Sequence, residues 1–158
     1  MLLKNKDVDE DEGEDEKPEA ALKIVLLGDA CAGKTSLCTK FTQHAFNSKY
    51  TPLWDLGGHN IGAAQSMLQT YVYGANALLF VYDVTNMQSF ENVIDWINII
   101  KKIIQERSLR LYLVGNKTDL EHRRAISIGK NNTLAAKHRL ESYYVSAKTG
   151  DNVELMFK

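Results

Sequence analysis

A three-layer α/β fold, a mostly parallel sheet with helices on both faces, is the architecture this sequence predicts. Two observations carry that prediction. Short apolar runs of strand length alternate with segments of helical period, and each run ends in Gly, Asn, Thr or Ser. The chain has 158 residues, 44% hydrophobic and 25% charged, enough for one domain with a substantial core.

The domain is assigned to residues 21–158, and residues 1–20 are read as a separate acidic tail. Nine of the 20 acidic residues fall between Asp7 and Glu19. Such a run repels itself and has little to bury, so disorder is expected there. The remainder, from residue 22, carries 16 basic and 11 acidic residues, a surplus of +5. Without a basic stripe along the sequence, that surplus gives no reason to expect nucleic acid as a partner. No run approaches the ~18 apolar residues that span a bilayer, and the amino terminus lacks a signal pattern, so the chain is read as cytoplasmic. Cys31 and Cys38 offer no disulfide framework, and with His44 and His59 they match no zinc spacing.

Leu22 to Leu27 is an apolar run ending at Gly28, a buried strand meeting a tight turn. From Gly33 the period becomes helical, with Leu37, Phe41 and Ala45 on one face and Thr39, Lys40 and Gln43 turned away. Trp54 and Asp55 end a further strand expected beside the first. Ala77–Asp83, Leu109–Val114 and Tyr143–Val145 complete the strands. A helix capped at Ser89 is expected to place Phe90, Val93, Ile94, Ile97, Ile100 and Ile104 on an apolar face that belongs to the core. In a parallel sheet of this kind, ligands bind beyond the carboxyl ends of the strands.

The first such end holds Gly28, Asp29, Ala30, Cys31, Ala32, Gly33, Lys34 and Thr35, followed by Ser36. The run fits G-x-x-x-x-G-K-[ST] between a strand and a helix, the context this phosphate loop requires. Its glycines let backbone N–H groups turn toward phosphate oxygens, and the positive end of the helix favours the same charge. Lys34 supplies a point charge at the outer phosphates, and the Thr35 hydroxyl is a ligand for Mg2+.

The base is chosen elsewhere. Asn116, Lys117, Thr118 and Asp119 follow the Leu109–Val114 strand. Guanine presents two adjacent donors that one carboxylate can accept with both oxygens, whereas adenine presents an acceptor there, so Asp119 selects guanine. Asn116 is placed to tie this loop to the phosphate loop, and the methylene stem of Lys117 to lie along the ring. Ser146, Ala147 and Lys148 follow the last strand, with the Ala147 N–H directed to the guanine carbonyl oxygen. GTP and GDP are the expected ligands.

Together GDACAGKTSL, WDLGG, NKTD and SAKTG look like the Ras superfamily, and VYDVTNMQSFENVIDW followed by VGNKTDLEHRR resembles its Rab branch over about residues 21–158. WDLGG and YGA, with SFENV and DLEH, point to a divergent member of that branch. The resemblance implies a P-loop NTPase fold and a nucleotide switch served by an exchange factor, a GTPase-activating protein and effectors. It further implies that Asp55 holds a Mg2+ water and that the Gly58 N–H faces the outer phosphate.

Three departures qualify it. Phe46 to Leu53 runs directly into Trp54, so the first switch and an edge hairpin are expected to be missing, leaving Thr51 as the only nearby threonine for a second metal ligand. The loss leaves Thr51 to Asp55 as a short exposed edge, with lowered stability and self-association expected. His59 occupies the position of the glutamine that orients the attacking water, which makes it the catalytic candidate and predicts slow hydrolysis. The sequence reaches Lys158 without a prenylation cysteine, so no membrane anchor is expected. The alternatives to a small GTPase are a non-catalytic nucleotide-binding interaction module and an incomplete variant that does not fold stably.

Overall fold

A computed structural model describes residues 22–44, 53–57, 61–105 and 107–157. The acidic segment at 1–20, Thr51, Gly58 and His59 lie outside the described residues.

The five described strands form one sheet in the order β2-β1-β3-β4-β5. They are β1 (Ile24–Gly28), β2 (Leu53–Gly57), β3 (Ala77–Asp83), β4 (Arg110–Asn116) and β5 (Glu141–Tyr144). Every pairing is parallel. Parallel neighbours need crossovers, and helices supply them. They are α1 (Lys34–His44), α2 (Ile61–Val72), α3 (Met87–Ile104) and α4 (Ile128–His138), with α5 (Val153–Phe157) after β5. The strand that contains Trp54 and Asp55 lies beside the first, as expected, with Leu26 opposite Asp55, but it runs on to Gly57 instead of ending at Asp55, because Leu56 and Gly57 stay in register with Leu27 and Gly28.

The two faces of β1 explain the two halves of the core. Successive side chains of a strand point to opposite sides. Val25 and Leu27 meet Leu78, Phe80 and Tyr82 of β3, under Leu68 and Val72 of α2, the apolar face of α3, and Leu134 and Ala135 of α4. Leu26 joins Leu79, Val81 and Val114 beneath Leu37 of α1 and Val153 and Met156 of α5. Phe41 of α1 and Phe157 of α5 stack with ring centroids 4.1 Å apart, closing that layer.

Helix α3 is the principal buttress. Phe90, Val93, Ile97, Ile100 and Ile104 are buried as their spacing predicts, and Trp96 joins them. Ile97 and Ile100 are fully enclosed, each removing apolar surface worth about 1.5–3 kcal/mol. The helix begins earlier than Ser89. Its cap is Asn86, in an extended conformation, whose side chain accepts from the Ser89 N–H at 3.2 Å. Ser89 is buried one turn in, where its hydroxyl accepts from the Asp83 N–H at 3.0 Å and donates to the Asn86 carbonyl at 2.7 Å. A serine that ties a helix to the preceding strand has the same composition signal as a cap.

The carboxyl ends of β1, β3, β4 and β5 therefore open along one edge of the sheet. That edge carries the loops singled out by their chemistry.

Candidate functional site

The loop after β1 is shaped by two glycines. Gly28 has φ +151° and is buried, and a Cβ there would collide with the Val81 carbonyl of β3. Gly33 has φ +88°, and a Cβ there would strike the side-chain amide of Asn116. Between them Ala30–Ala32 make one 3-10 turn, closed by the Ala32 N–H donating to the Asp29 carbonyl at 3.1 Å. Helix α1 then starts at Lys34, so its first-turn N–H groups and dipole face the loop. Lys34 is only 1% exposed and donates through Nζ to the Asp29 carbonyl at 2.6 Å. Its charge is already folded back over the loop. Thr35 and Ser36 are exposed on the same turn.

Asp29 is held from a distance in sequence. Both of its carboxylate oxygens accept from Asn92 Nδ2 in α3, at 3.0 and 2.8 Å. Sequence reasoning had no signal for Asn92, which reads as one polar residue on the outer face of an amphipathic helix.

At the end of β4, Asn116 joins three segments. It is 1% exposed. Its Nδ2 donates to the Ala32 carbonyl at 2.9 Å, and its Oδ1 accepts from the Ala147 N–H at 3.1 Å. The expected tie to the phosphate loop is present. The Ala147 N–H, expected to serve a guanine carbonyl, is engaged by Asn116, so a base oxygen must share or displace that bond.

Lys117 adopts the left-handed conformation at φ +68°, which turns its side chain back toward the phosphate loop. Its Nζ donates to the Cys31 carbonyl at 2.8 Å and lies 2.9 Å from Asp83 Oδ2. Asp83, at the end of β3, was not singled out from sequence, although a carboxylate at a strand's carboxyl end is the available signal. Burial alone pushes its carboxyl up, but hydrogen bonds from the Thr85 hydroxyl and N–H, at 2.7 and 2.8 Å, followed by Lys117, hold it below the ordinary carboxylate value.

Asp119 and Ser146 meet across the two base loops. The Ser146 hydroxyl donates to Asp119 Oδ1 at 2.8 Å and accepts from the Thr149 N–H at 3.1 Å. The Thr118 N–H donates to the Val145 carbonyl at 3.2 Å, which fixes the loops side by side. Lys148 is exposed beside them. Asp55 is placed by its backbone in β2 alone. Gly58 and His59 fall outside the described residues, and the residues the structure brings together are those of Gly28–Ser36, Asn116–Asp119 and Ser146–Lys148. Among the described residues no group of three His, Cys, Asp or Glu side chains is arranged to hold a metal, and no helix is long and apolar enough to cross a membrane.

A family pattern described as "Ras family" matches residues 23–60 and 52–158. The chain is 38% identical to the Ras-related protein Rab-28 of Caenorhabditis elegans over 175 residues, covering 96% of this chain and 70% of the relative. It is 31% identical to the Ras-related protein Rab-21 of Mus musculus and 30% identical to that of Homo sapiens, each over 156 residues and 87% of this chain, covering 70% and 69% of the relative.

Proposed function

Since the chain belongs to the Ras family of small GTPases, we propose that the edge built by Gly28–Ser36, Asn116–Asp119 and Ser146–Lys148 binds GTP and GDP. The observation that carries this reading is the Asn116 side chain, which bonds the phosphate loop and the Ala147 loop at once. It fixes the spacing between an anion site and a carboxylate, Asp119, with the donor-accepting chemistry guanine demands.

In this reading Gly28, Asp29, Ala30, Cys31, Ala32 and Gly33 present backbone N–H groups, while Lys34 pairs with the outer phosphates. Mg2+, when bound with the nucleotide, would supply charge neutralisation at the phosphates. Thr35, an exposed residue, would supply a hard oxygen ligand to such an ion, and Asp55, in β2 beside β1, would hold it through a water. The family resemblance assigns Gly58 to the outer phosphate as well.

The domain is read as a shortened form of the family's, with its first switch and edge hairpin missing near residues 46–53 and an acidic tail at 1–20. Supporting this, the family pattern breaks into two stretches that overlap at 52–60. The 175-residue alignment to the nematode relative is also longer than the 158-residue chain, so that relative carries residues with no counterpart here. With His59 in place of glutamine, hydrolysis is slow, and the protein holds its nucleotide more than it turns it over. Membrane trafficking is the cellular role by kinship, and regulators and effectors that need the first switch bind weakly.

Titration with fluorescent GDP and GTP, with and without Mg2+, tests the core of this reading. Asp119→Asn should move preference from guanine to xanthine nucleotides. Binding that is absent, or unmoved by the substitution, overturns it. Single-turnover GTP hydrolysis at the rate of ordinary family members would refute the slow-hydrolysis part alone.

A further inference from the structure

The edge of the sheet opposite the nucleotide loops gathers the domain's positive charge. Helices α3 and α4 run antiparallel to the strands, so their final turns end at the strands' amino edge. Lys101 and Lys102 lie in the last turn of α3, and Lys137 in the last turn of α4, with Arg139 as its C-cap. His138, half-buried at the end of α4, has its basicity lowered by burial and then by Lys101 of α3 and Lys137. Arg107 flanks a groove between α2 and α3 with Gln69, Tyr73 and Ile103. Arg110, the first residue of β4, lines a second groove with Leu22 and Ile24.

All six cations are exposed, and none makes an ion pair with a described residue. Glu141, at the start of β5, is the described carboxylate that the fold brings to this edge. Six cations against one described carboxylate make this edge basic.

The chain enters the domain at this same edge. Leu22 lies two residues before the start of β1, and Ile24, Ala77 and Arg110 lie in register across three adjacent strands. That places Arg110 about 10 Å from Ile24. Glu19, three residues before Leu22, is within about 11 Å of it along an extended chain. The other eight acidic residues of the run lie between Asp7 and Glu16 in the sequence.

We propose that residues 7–19 dock on the basic face formed by Lys101, Lys102, Arg107, Arg110, Lys137 and Arg139 of the same molecule. Exposed ion pairs are individually weak, but a short tether sets an effective concentration of about millimolar, and several pairs act together. Docking neutralises the run that otherwise repels itself. Any other polyanion, a lipid headgroup or a nucleic acid phosphate, must first displace it.

The test is a comparison of amide spectra of the full-length protein with those of the D9N/E10Q/D11N/E12Q/E14Q/D15N/E16Q variant. At about 0.1 M NaCl the shifts should differ at residues 101, 102, 107, 110, 137 and 139 and stay the same at 28–36 and 116–119. The differences should vanish at about 1 M NaCl, where the screening length falls from about 10 Å to about 3 Å. In a K101E/K102E/K137E variant, amides of residues 7–19 should move to their high-salt positions. Spectra that superimpose on the basic face at low salt overturn the proposal. So does a difference that fades on dilution, which would assign the contact to a second copy.

Discussion

Replacing Asn116 with alanine removes one donor and one acceptor from the centre of the site. The Ala32 carbonyl loses its 2.9 Å bond and the Ala147 N–H its 3.1 Å bond. Ala32 is fully buried, so leaving its carbonyl unsatisfied costs about 1–3 kcal/mol, and the more exposed second bond adds about 0.5–1.5 kcal/mol. A total near 2–4 kcal/mol is expected, which in a domain of this size lowers Tm by roughly 5–15 °C. Urea unfolding followed by circular dichroism reads the stability, and release of fluorescent GDP reads the site. If the loops hold the nucleotide as proposed, release should accelerate by at least about tenfold, because they lose their common tie. Asn116→Asp sharpens the test. It keeps the acceptor for Ala147 but turns an oxygen toward the Ala32 carbonyl, so it should be no more stable than the alanine variant at neutral pH. An alanine variant within about 0.5 kcal/mol of the parent, with unchanged GDP release, would refute the bridging role.

Three further outcomes follow from the same geometry. Gly33→Ala combines a left-handed φ with a clash against the Asn116 amide, so calorimetry should show GDP binding at least about tenfold weaker and stability lower by about 1–2 kcal/mol. Ile97→Ala empties a fully enclosed position in α3 away from the loops, and urea denaturation should show a loss of about 2–5 kcal/mol. Asp83 ionises below the ordinary carboxylate value in the folded state, so its contribution is fully present above the unfolded value and is lost as pH falls through the folded one. The stability gap between the parent and Asp83→Asn should therefore be constant near neutrality and narrow on acidification, and urea midpoints measured from neutral pH downward would contradict this if the gap widened.

The phosphate loop was legible because its chemistry is local. Gly28, Gly33 and Lys34 are required by backbone conformation and charge within eight residues. The meeting of the Asn116–Asp119 and Ser146–Lys148 loops was legible for a related reason, since each follows a strand of the same parallel sheet, and their use for guanine is the proposal made above. Asn92 and Asp83 were not legible, because each acts through a partner far away in sequence. Asn92 meets Asp29 across 63 positions, and Asp83 meets Lys117 at 2.9 Å only once β3 and β4 lie side by side. The core of α3 was readable from its period, yet its start was misplaced at Ser89 since a buried strand-tying serine and a helix cap look alike in sequence. Trp96 escaped the apolar stripe because its bulk reaches the core from the flank of that stripe. The basic face was invisible for the same reason as Asn92. Lys101, Arg110 and Lys137 are brought together by the direction of the helices and strands, not by spacing.

The bonds that knit the site span long stretches of chain. Ala32 waits 84 positions for Asn116, Cys31 waits 86 for Lys117, and Asn116 a further 31 for Ala147. Closing loops of that length is slow, because entropy is lost before any contact repays it. In synthesis from the amino terminus, the phosphate loop is made early and completed late. Until residue 147 is available, the emerging chain has strands and helices but no finished cradle, and the stabilisation a bound nucleotide confers by mass action comes only after that. The ligand therefore cannot guide the first stages of folding, but it can secure the last.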